Sequence, residues 1–366
     1  SSATARYKAS FAGRIGKSIA DLTGGLGVDS WFFSSRSEKV LYNEMQDILC
    51  KAARHNFMVL NAMNISISNE TAQPGCIGQL LNGFKPDIVY MDPARRGEGG
   101  KKVFLIEECT PDVLTLKEQI FKHCRHILLK LSPMADITMA CSRLGTTCRE
   151  VHIVASGGEC KELLIWMDRE WSGEYTITAV ELPSDYPDMD PASFSFCSSE
   201  EKIATASTRP RNDVSGFLFE PGKALMKAGC FNLIANRFGL SKLGVSTHYY
   251  VTESHDKADE LKPYGKVYMI LSVQPLDKRS IKAAGSAYPR AEAENGQGQQ
   301  AGVGRGQAPQ GKHGRERDEA EHGPFLDTQT ECAHGVFIER RTAGPHPLLE
   351  KVAGKKTDED DCEGEE

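Results

Sequence analysis

Four short segments carry residue types and spacings that could do chemistry. The first is Asp21-Leu22-Thr23-Gly24-Gly25-Leu26-Gly27, set between an apolar run and a helix-like stretch from Val28 to Ser34. Glycines let a backbone turn tightly and approach a ligand closely. The N–H groups that open the following helix have no partner within it and suit an anionic end of a cofactor. The second is Glu44, 23 residues after Asp21, against the spacing of about 20 found between a glycine loop and a ribose-binding acid. A carboxylate there can accept hydrogen bonds from both ribose hydroxyls. Together these two features favour a nucleoside cofactor held by Asp21, Thr23, Gly24, Gly25, Gly27 and Glu44. The alternatives are an ordinary glycine-rich turn and a solvated first-turn helix acid.

The third segment is Asp92-Pro93-Ala94-Arg95-Arg96, at the end of the apolar run Asp87 to Met91. Asp92 and Pro93 are the candidate catalytic pair. A rigid Asp-Pro turn at the carboxyl edge of a strand could aim a carboxylate or a carbonyl at a nucleophilic amine. Arg95 and Arg96 could hold phosphate or substrate carbonyls, or be solvated arginines of a surface turn. The fourth is Lys130-Leu131-Ser132-Pro133-Met134-Ala135-Asp136, which faces the same edge. Lys130 is a candidate substrate-binding residue, and Asp136 either shapes the pocket or caps a helix.

The elements that must position these residues follow from hydropathy patterning. Strand-like runs fall at 18–21, 39–42, 57–60, 87–91 and 126–130, with helix-length stretches between them, such as 45–56 and 110–123. That alternation predicts a parallel sheet covered by helices. Runs at 150–154 and 162–166 are joined by a short segment containing Gly157-Gly158, too short for a crossover helix and suited to a hairpin. The fold class is therefore α/β and Rossmann-like: five parallel strands ending in an antiparallel hairpin, the plan of class I methyltransferases. Residues 1–170 form this domain and 171–215 a connector with strands. Residues 216–278 form a small α+β unit with strand-like runs at 217–219, 248–251 and 266–271 and a helix-like stretch at 221–238. Residues 279–366 hold almost no large apolar side chains between 285 and 323 and read as a disordered tail.

Composition narrows the function classes. Apolar residues make up 40% and charged residues 26% of 366, the balance of a soluble protein. No run of 18 apolar residues occurs, so no membrane span is expected. The opening Ser1 to Lys8 lacks the apolar centre of a secretory signal and reads as a start inside a longer protein. Eleven cysteines are scattered from Cys50 to Cys362 without a Cys-x-x-Cys pair. That favours reduced cytoplasmic thiols and no metal site. The net charge is −6, but the last nine residues hold seven acids, so residues 1–357 carry +1. Charge neither requires nor forbids a polyanionic partner.

Several blocks resemble a bacterial family of class I methyltransferases with a C-terminal THUMP-like domain, assigned to RNA. They are Ser1 to Lys8, Asp21 to Ser30, Asp92 to Arg96, Lys130 to Met134, Gly158 to Leu164, and Glu220-Pro221 through Gly229. The resemblance spans about residues 1–275. It implies S-adenosylmethionine held by the glycine loop and Glu44, with Asp92 near the methyl acceptor. It further implies an RNA substrate, rRNA or tRNA, and a ferredoxin-like unit after residue 215. The family's N-terminal helical region and its Arg-Asn-Phe-Pro block have no counterpart here, and residues 279–366 stand where the THUMP-like domain would be. Covalent catalysis by cysteine is disfavoured: the loop Leu131-Ser132-Pro133 has none, and Cys109 reads as incidental. Asp92-Pro93-Ala94-Arg95 lacks the aromatic residue that stacks on an extruded base in amino-methylating enzymes, although an arginine plane can stack instead. Direct transfer to a nitrogen of an RNA base is the preferred expectation. The alternatives are a methyltransferase for protein or small molecules and a non-catalytic RNA-binding factor that keeps the fold.

Overall fold

The computed structural model describes residues 1–95, 106, 109–186, 189–209, 214–275, 278–287, 292–295, 300–301 and 334–340. The first sheet contains β1 (Ser18–Asp21), β2 (Lys39–Asn43), β3 (Ile65–Ser68) and β4 (Ile88–Met91). After the small β5 (Ala94–Arg95) and β6 (Cys109–Thr110) pair, it continues with β7 (His126–Leu131), β8 (Cys148–Ser156), β9 (Glu159–Asp168), β10 (Thr176–Leu182) and β11 (Ala192–Cys197). Its spatial order is β11-β10-β8-β9-β7-β4-β1-β2-β3. Strands β3, β2, β1, β4 and β7 are parallel, while β9 runs antiparallel to both β7 and β8. This is the expected class I plan. The β8–β9 hairpin closes on Gly157 and Gly158, at φ 62° and 78°. Two consecutive left-handed residues define the tight turn whose twist matches its strands, and glycine adopts it without strain.

Among the described residues, ten helices accompany the strands through the small unit: α1 (Ser2–Ile15), α2 (Val28–Ser34), α3 (Asp47–Val59), α4 (Ile77–Asn82), α5 (Val113–Ile120), α6 (Ile137–Leu144), α7 (Ser198–Ile203), α8 (Lys223–Ala228), α9 (Phe231–Phe238) and α10 (His255–Leu261). One face of the sheet presents Ile19, Val40, Ile88, Tyr90, Leu128 and Leu164 to α1 and α2. The opposite face presents Ala20, Leu41, Val89, Met91, Ile127 and Leu129 to α4–α6. Strands buried on both faces read as continuous apolar runs, which is why β1, β4 and β7 stand out in the sequence.

One strand differs from expectation. Residues 57–60, read as the third strand, close α3, and the true third strand is β3. Cys50, Ala53 and Phe57 form the buried stripe of α3, while Met58, Val59 and Leu60 are exposed. An apolar run on a helix surface imitates a strand. The Ile65-Ser66-Ile67-Ser68 edge strand, only half-buried, gives a faint signal. Beyond residue 170, β10 pairs parallel to β8 and β11 antiparallel to β10, so the connector adds two strands to the sheet.

The small unit is a second, antiparallel sheet, with β12 (Phe217–Pro221), β13 (Ser241–Lys242), β14 (Tyr250–Thr252) and β15 (Gly265–Pro275). The single helix expected over 221–238 is two, broken at Gly229, whose φ of 72° ends α8. Phe217, Phe219, Ala224, Leu225, Leu233 and Ile234 belong to the same buried core as β4 and β7, so the unit is packed onto the first sheet. Of the tail expected to be disordered, most lies outside the described residues. The described parts are α11 (Lys278–Ala287) and three strands, β16 (Glu292–Asn295), β17 (Gln300–Ala301) and β18 (His334–Arg340), of which β18 pairs with β15.

Candidate active site

The carboxyl ends of β1, β2, β4 and β7 bring the four sequence segments to one edge. The loop after β1 is held by its neighbours on β2. Gly24 N–H donates to the Asn43 carbonyl at 2.8 Å, and the Tyr42 hydroxyl donates to the Gly25 carbonyl at 2.6 Å. A Cβ on Gly24 would lie 2.2 Å from the Tyr42 ring, and one on Gly27 would lie 2.5 Å from Phe57. These two glycines exist for close packing. Gly25 and Gly27 are both left-handed, at φ 54° and 81°, but a Cβ on Gly25 would meet nothing within 4 Å. It opens onto a cleft of about 640 Å³ lined also by Thr23, Glu44, Met45, Leu49 and Asp92, a size suited to a nucleoside-bearing ligand.

Glu44 is almost fully buried at the wall of that cleft. Its Oε2 accepts from Gly25 N–H at 3.0 Å and its Oε1 from Gln46 N–H at 2.9 Å. Each carboxylate oxygen accepts a second bond, so both can still receive a ribose hydroxyl. Asp21 does not line the cleft. Its carboxyl turns inward, accepting from Thr23 N–H at 3.0 Å and from the Ser30 hydroxyl at 2.6 Å. Burial pushes its pKa up to about 7 against those two bonds. Asp21 therefore shapes the loop and ties it to α2.

The loop also sets the third segment. Asp92 N–H donates to Thr23 Oγ1 at 2.7 Å, fixing the Asp92-Pro93 turn against the glycine loop. The Asp92 carboxylate pairs through Oδ2 with Lys130 Nζ at 2.5 Å, both side chains partly exposed. Asp92, Pro93 and Lys130 line a second, smaller pocket of about 90 Å³, closed by Ser132, Ala135 and Lys161. Asp92 and Pro93 border both spaces, so they form the partition between them. Asp136 both lines the pocket and caps α6, accepting from Met139 N–H at 2.7 Å. Arg95 lies in β5, and Arg96 lies outside the described residues.

Sequence reasoning missed three contributors. Cys109, read as incidental, is buried in the wall of the small pocket, where β6 pairs with β5. Asn43 Oδ1 accepts from Glu70 N–H at 3.1 Å while its Nδ2 donates to the Leu22 carbonyl at 3.4 Å, joining three loops of the cleft. Lys8, from α1, is buried between Asp29 and Glu162, with Nζ 3.0 Å from a carboxylate oxygen of each. Burial opposes its charge, but the two carboxylates outweigh that and hold its pKa above the usual lysine value. Asp29 also accepts from the Tyr90 hydroxyl at 2.7 Å. Lys8 thus ties α1 to the first turn of α2 and to β9. Among the described residues, no group of three or more His, Cys, Asp or Glu is placed to hold a metal, and no helix is long and apolar enough to cross a membrane.

Comparison with known proteins bears on the fold and the family. A family of ferredoxin-like domains matches residues 217–258. Among curated proteins, none matches. A Porphyromonas gingivalis W83 protein assigned as a methyltransferase is 32% identical, with a TM-score of 0.67 over 79% of this chain and 69% of that one. An rRNA methylase from Streptococcus thermophilus is 11% identical, with a TM-score of 0.33 over 44% of this chain and 94% of that one. A Streptococcus mutans protein assigned as a methyltransferase, solved in complex with SAH, is 14% identical, with a TM-score of 0.32 over 44% and 95%. At 32% identity over more than two thirds of both chains, this protein belongs to the family of the Porphyromonas gingivalis protein assigned as a methyltransferase.

Proposed function

We propose that the chain is an S-adenosylmethionine-dependent methyltransferase that acts on a nitrogen of an RNA base. The observation that carries the reading is the Asp92-Pro93 partition, with a nucleoside-sized cleft on one side and a small pocket on the other. Methyl transfer needs donor and acceptor in line across a short gap, and the partition is where they would meet. The residues fit the cofactor: Gly25 leaves open space where any side chain would intrude, and Glu44 keeps acceptor capacity for two hydroxyls. Met45 and Leu49 give an apolar wall for the adenine ring.

When bound, S-adenosylmethionine supplies a methyl group made electrophilic by its sulfonium sulfur. The chain's own residues then orient the acceptor. Lys130 occupies Oδ2 of Asp92 and holds the carboxylate in one orientation, leaving Oδ1 to accept a hydrogen bond from an amino group in the small pocket. That bond fixes the amine and turns its nitrogen toward the cleft. The same oxygen takes the proton that the nitrogen must shed after alkylation. Thr23 couples the two halves by holding the Asp92 backbone against the cofactor loop.

The RNA assignment draws on the resemblance in the sequence. The other open readings are transfer to a protein or small molecule and cofactor binding without turnover. One observation favours a different RNA chemistry: Cys109 in the pocket wall could attack a pyrimidine ring and direct transfer to carbon. Digestion of methylated RNA to nucleosides separates the two. N-methylated products that persist in Cys109→Ser are expected. Ring-carbon products abolished by Cys109→Ser would replace the nitrogen mechanism with the covalent one.

A further inference from the structure

The small pocket that Asp92 and Pro93 close on one side is closed on another by the loop between β7 and α6. That loop has a tie from outside the first sheet. The Ala135 carbonyl, immediately before the α6 cap Asp136, accepts a hydrogen bond from Lys227 Nζ at 2.9 Å across 92 residues of sequence. We propose that Lys227 is a positioning residue of the acceptor pocket, through which the ferredoxin-like unit holds the 132–136 loop in its pocket-forming shape. The proposal rests on the reading of that pocket as the acceptor site.

Lys227 stands on a fixed base. Helix α8 begins where Ala224 N–H donates to Glu181 Oε1 at 2.7 Å. The helix approaches β10 so closely there that a Cβ on Gly222 would lie 2.2 Å from the Glu181 carboxylate. Ala224 and Leu225 are fully buried in the core shared with the first sheet. Gly229, left-handed, ends the helix one turn later, its N–H donating to the Leu225 carbonyl. Lys227 itself is half-buried and has no carboxylate within salt-bridge distance among the described residues. Its ammonium is directed to a peptide carbonyl, which fixes position without neutralising charge.

Among the described residues, the other hydrogen bonds of the receiving loop run within itself and to α6. Ala135 N–H donates to the Ser132 carbonyl at 3.0 Å, Met134 N–H to Ser132 Oγ at 3.2 Å, and Asp136 caps Met139 N–H. These bonds give the loop a local shape, and β7 beside β4 sets where it begins. Lys227 adds the tie that reaches its far end from outside the first sheet. Ser132, Ala135 and Asp136 border the small pocket and not the cleft of Gly25 and Glu44. Loss of the tie should therefore affect the acceptor and leave cofactor binding alone. The ferredoxin-like unit on this view braces one wall of the active site from behind, through the Ala135 carbonyl.

The test compares Lys227→Met and Lys227→Arg with wild type in the full chain. Three quantities are read: amide hydrogen exchange of residues 132–136, calorimetric affinity for S-adenosylmethionine, and methyl transfer to bulk cellular RNA with kcat and KM separated. The expected result for Lys227→Met is faster exchange in the loop and a kcat/KM for RNA lower by about tenfold, the effect of one charge-assisted hydrogen bond. Cofactor affinity should not change, and Lys227→Arg, which keeps a donor, should restore most of the loss. Unchanged exchange at 132–136 in Lys227→Met would overturn the proposal, as would unchanged kcat/KM. A wild type that transfers nothing to RNA would instead remove the acceptor reading, while the exchange data would still decide whether Lys227 holds the loop.

Discussion

At the scale of single residues, the cofactor loop separates glycines that pack from one that makes room. Gly24 and Gly27 are pressed against Tyr42 and Phe57, whereas Gly25 faces the cleft. Gly25→Val places a branched side chain in open space and forces a left-handed conformation, at a cost of order 1–2 kcal/mol. The expected outcome is a folded protein that no longer binds S-adenosylmethionine; unchanged calorimetric affinity would refute the loop's role. Asp21 makes a different prediction. Its folded pKa of about 7 lies above its ordinary value of 3.8 because it is buried, so the native state binds a proton more tightly than the unfolded chain. Its contribution to stability is complete below about pH 4 and is lost as pH rises through 7. Asp21→Asn can keep both hydrogen bonds and should flatten this dependence. Urea denaturation at pH 5 and pH 8 checks it: a wild-type difference larger than that of the variant is expected, and equal differences would show that Asp21 does not titrate in this range. The positions of Asp21, Gly25, Glu44 and Asp92 near one edge were legible from spacing alone. The inward turn of Asp21 was not, because its partners Ser30 and Thr23 carry no signature distinguishing a buried acid from a ligand-facing one.

At the scale of elements, strands buried on both faces announced themselves, and elements whose role depends on distant partners did not. Helix α1 is the clearest case. It covers one face of the sheet, yet Lys8 at its centre looks like any surface lysine until Asp29 and Glu162 are brought beside it. Removing one member of a buried ion cluster leaves charge without compensation, which costs about 3–5 kcal/mol. Lys8→Met should lower unfolding free energy by that order, and adding Glu162→Leu should recover part of it by replacing a second buried charge with apolar surface. Chemical denaturation of the two variants measures this. A single variant as stable as wild type would show that the cluster does not anchor α1. The misread strand at 57–60 has the same origin: periodicity over four residues cannot separate an exposed helical end from a buried strand, and the 3.6-residue stripe of Cys50, Ala53 and Phe57 had to be weighed against it.

At the scale of the whole molecule, the two sheets share one core, and the ferredoxin-like unit reaches the pocket through Lys227. The antiparallel placement of β9 beside β8 follows from the short Gly157-Gly158 connection, which excluded a crossover helix at that point before any coordinates were needed. The docking of residues 217–275 onto that sheet could not be read the same way, because it depends on apolar faces that match only in three dimensions. That the cleft of Gly25 and Glu44 and the pocket behind Asp92 form one methyl-transfer centre acting on RNA is tested most directly by label transfer. Labelled methyl from S-adenosylmethionine is offered to extract from cells lacking this protein, and the products are sorted into RNA, DNA, protein and small molecules for wild type and Asp92→Ala. The predicted result is label in RNA with wild type, with transfer lower by about 10²–10⁴-fold in Asp92→Ala and cofactor affinity retained. Label confined to another pool would contradict the RNA assignment, and an Asp92→Ala variant as active as wild type would contradict the catalytic one.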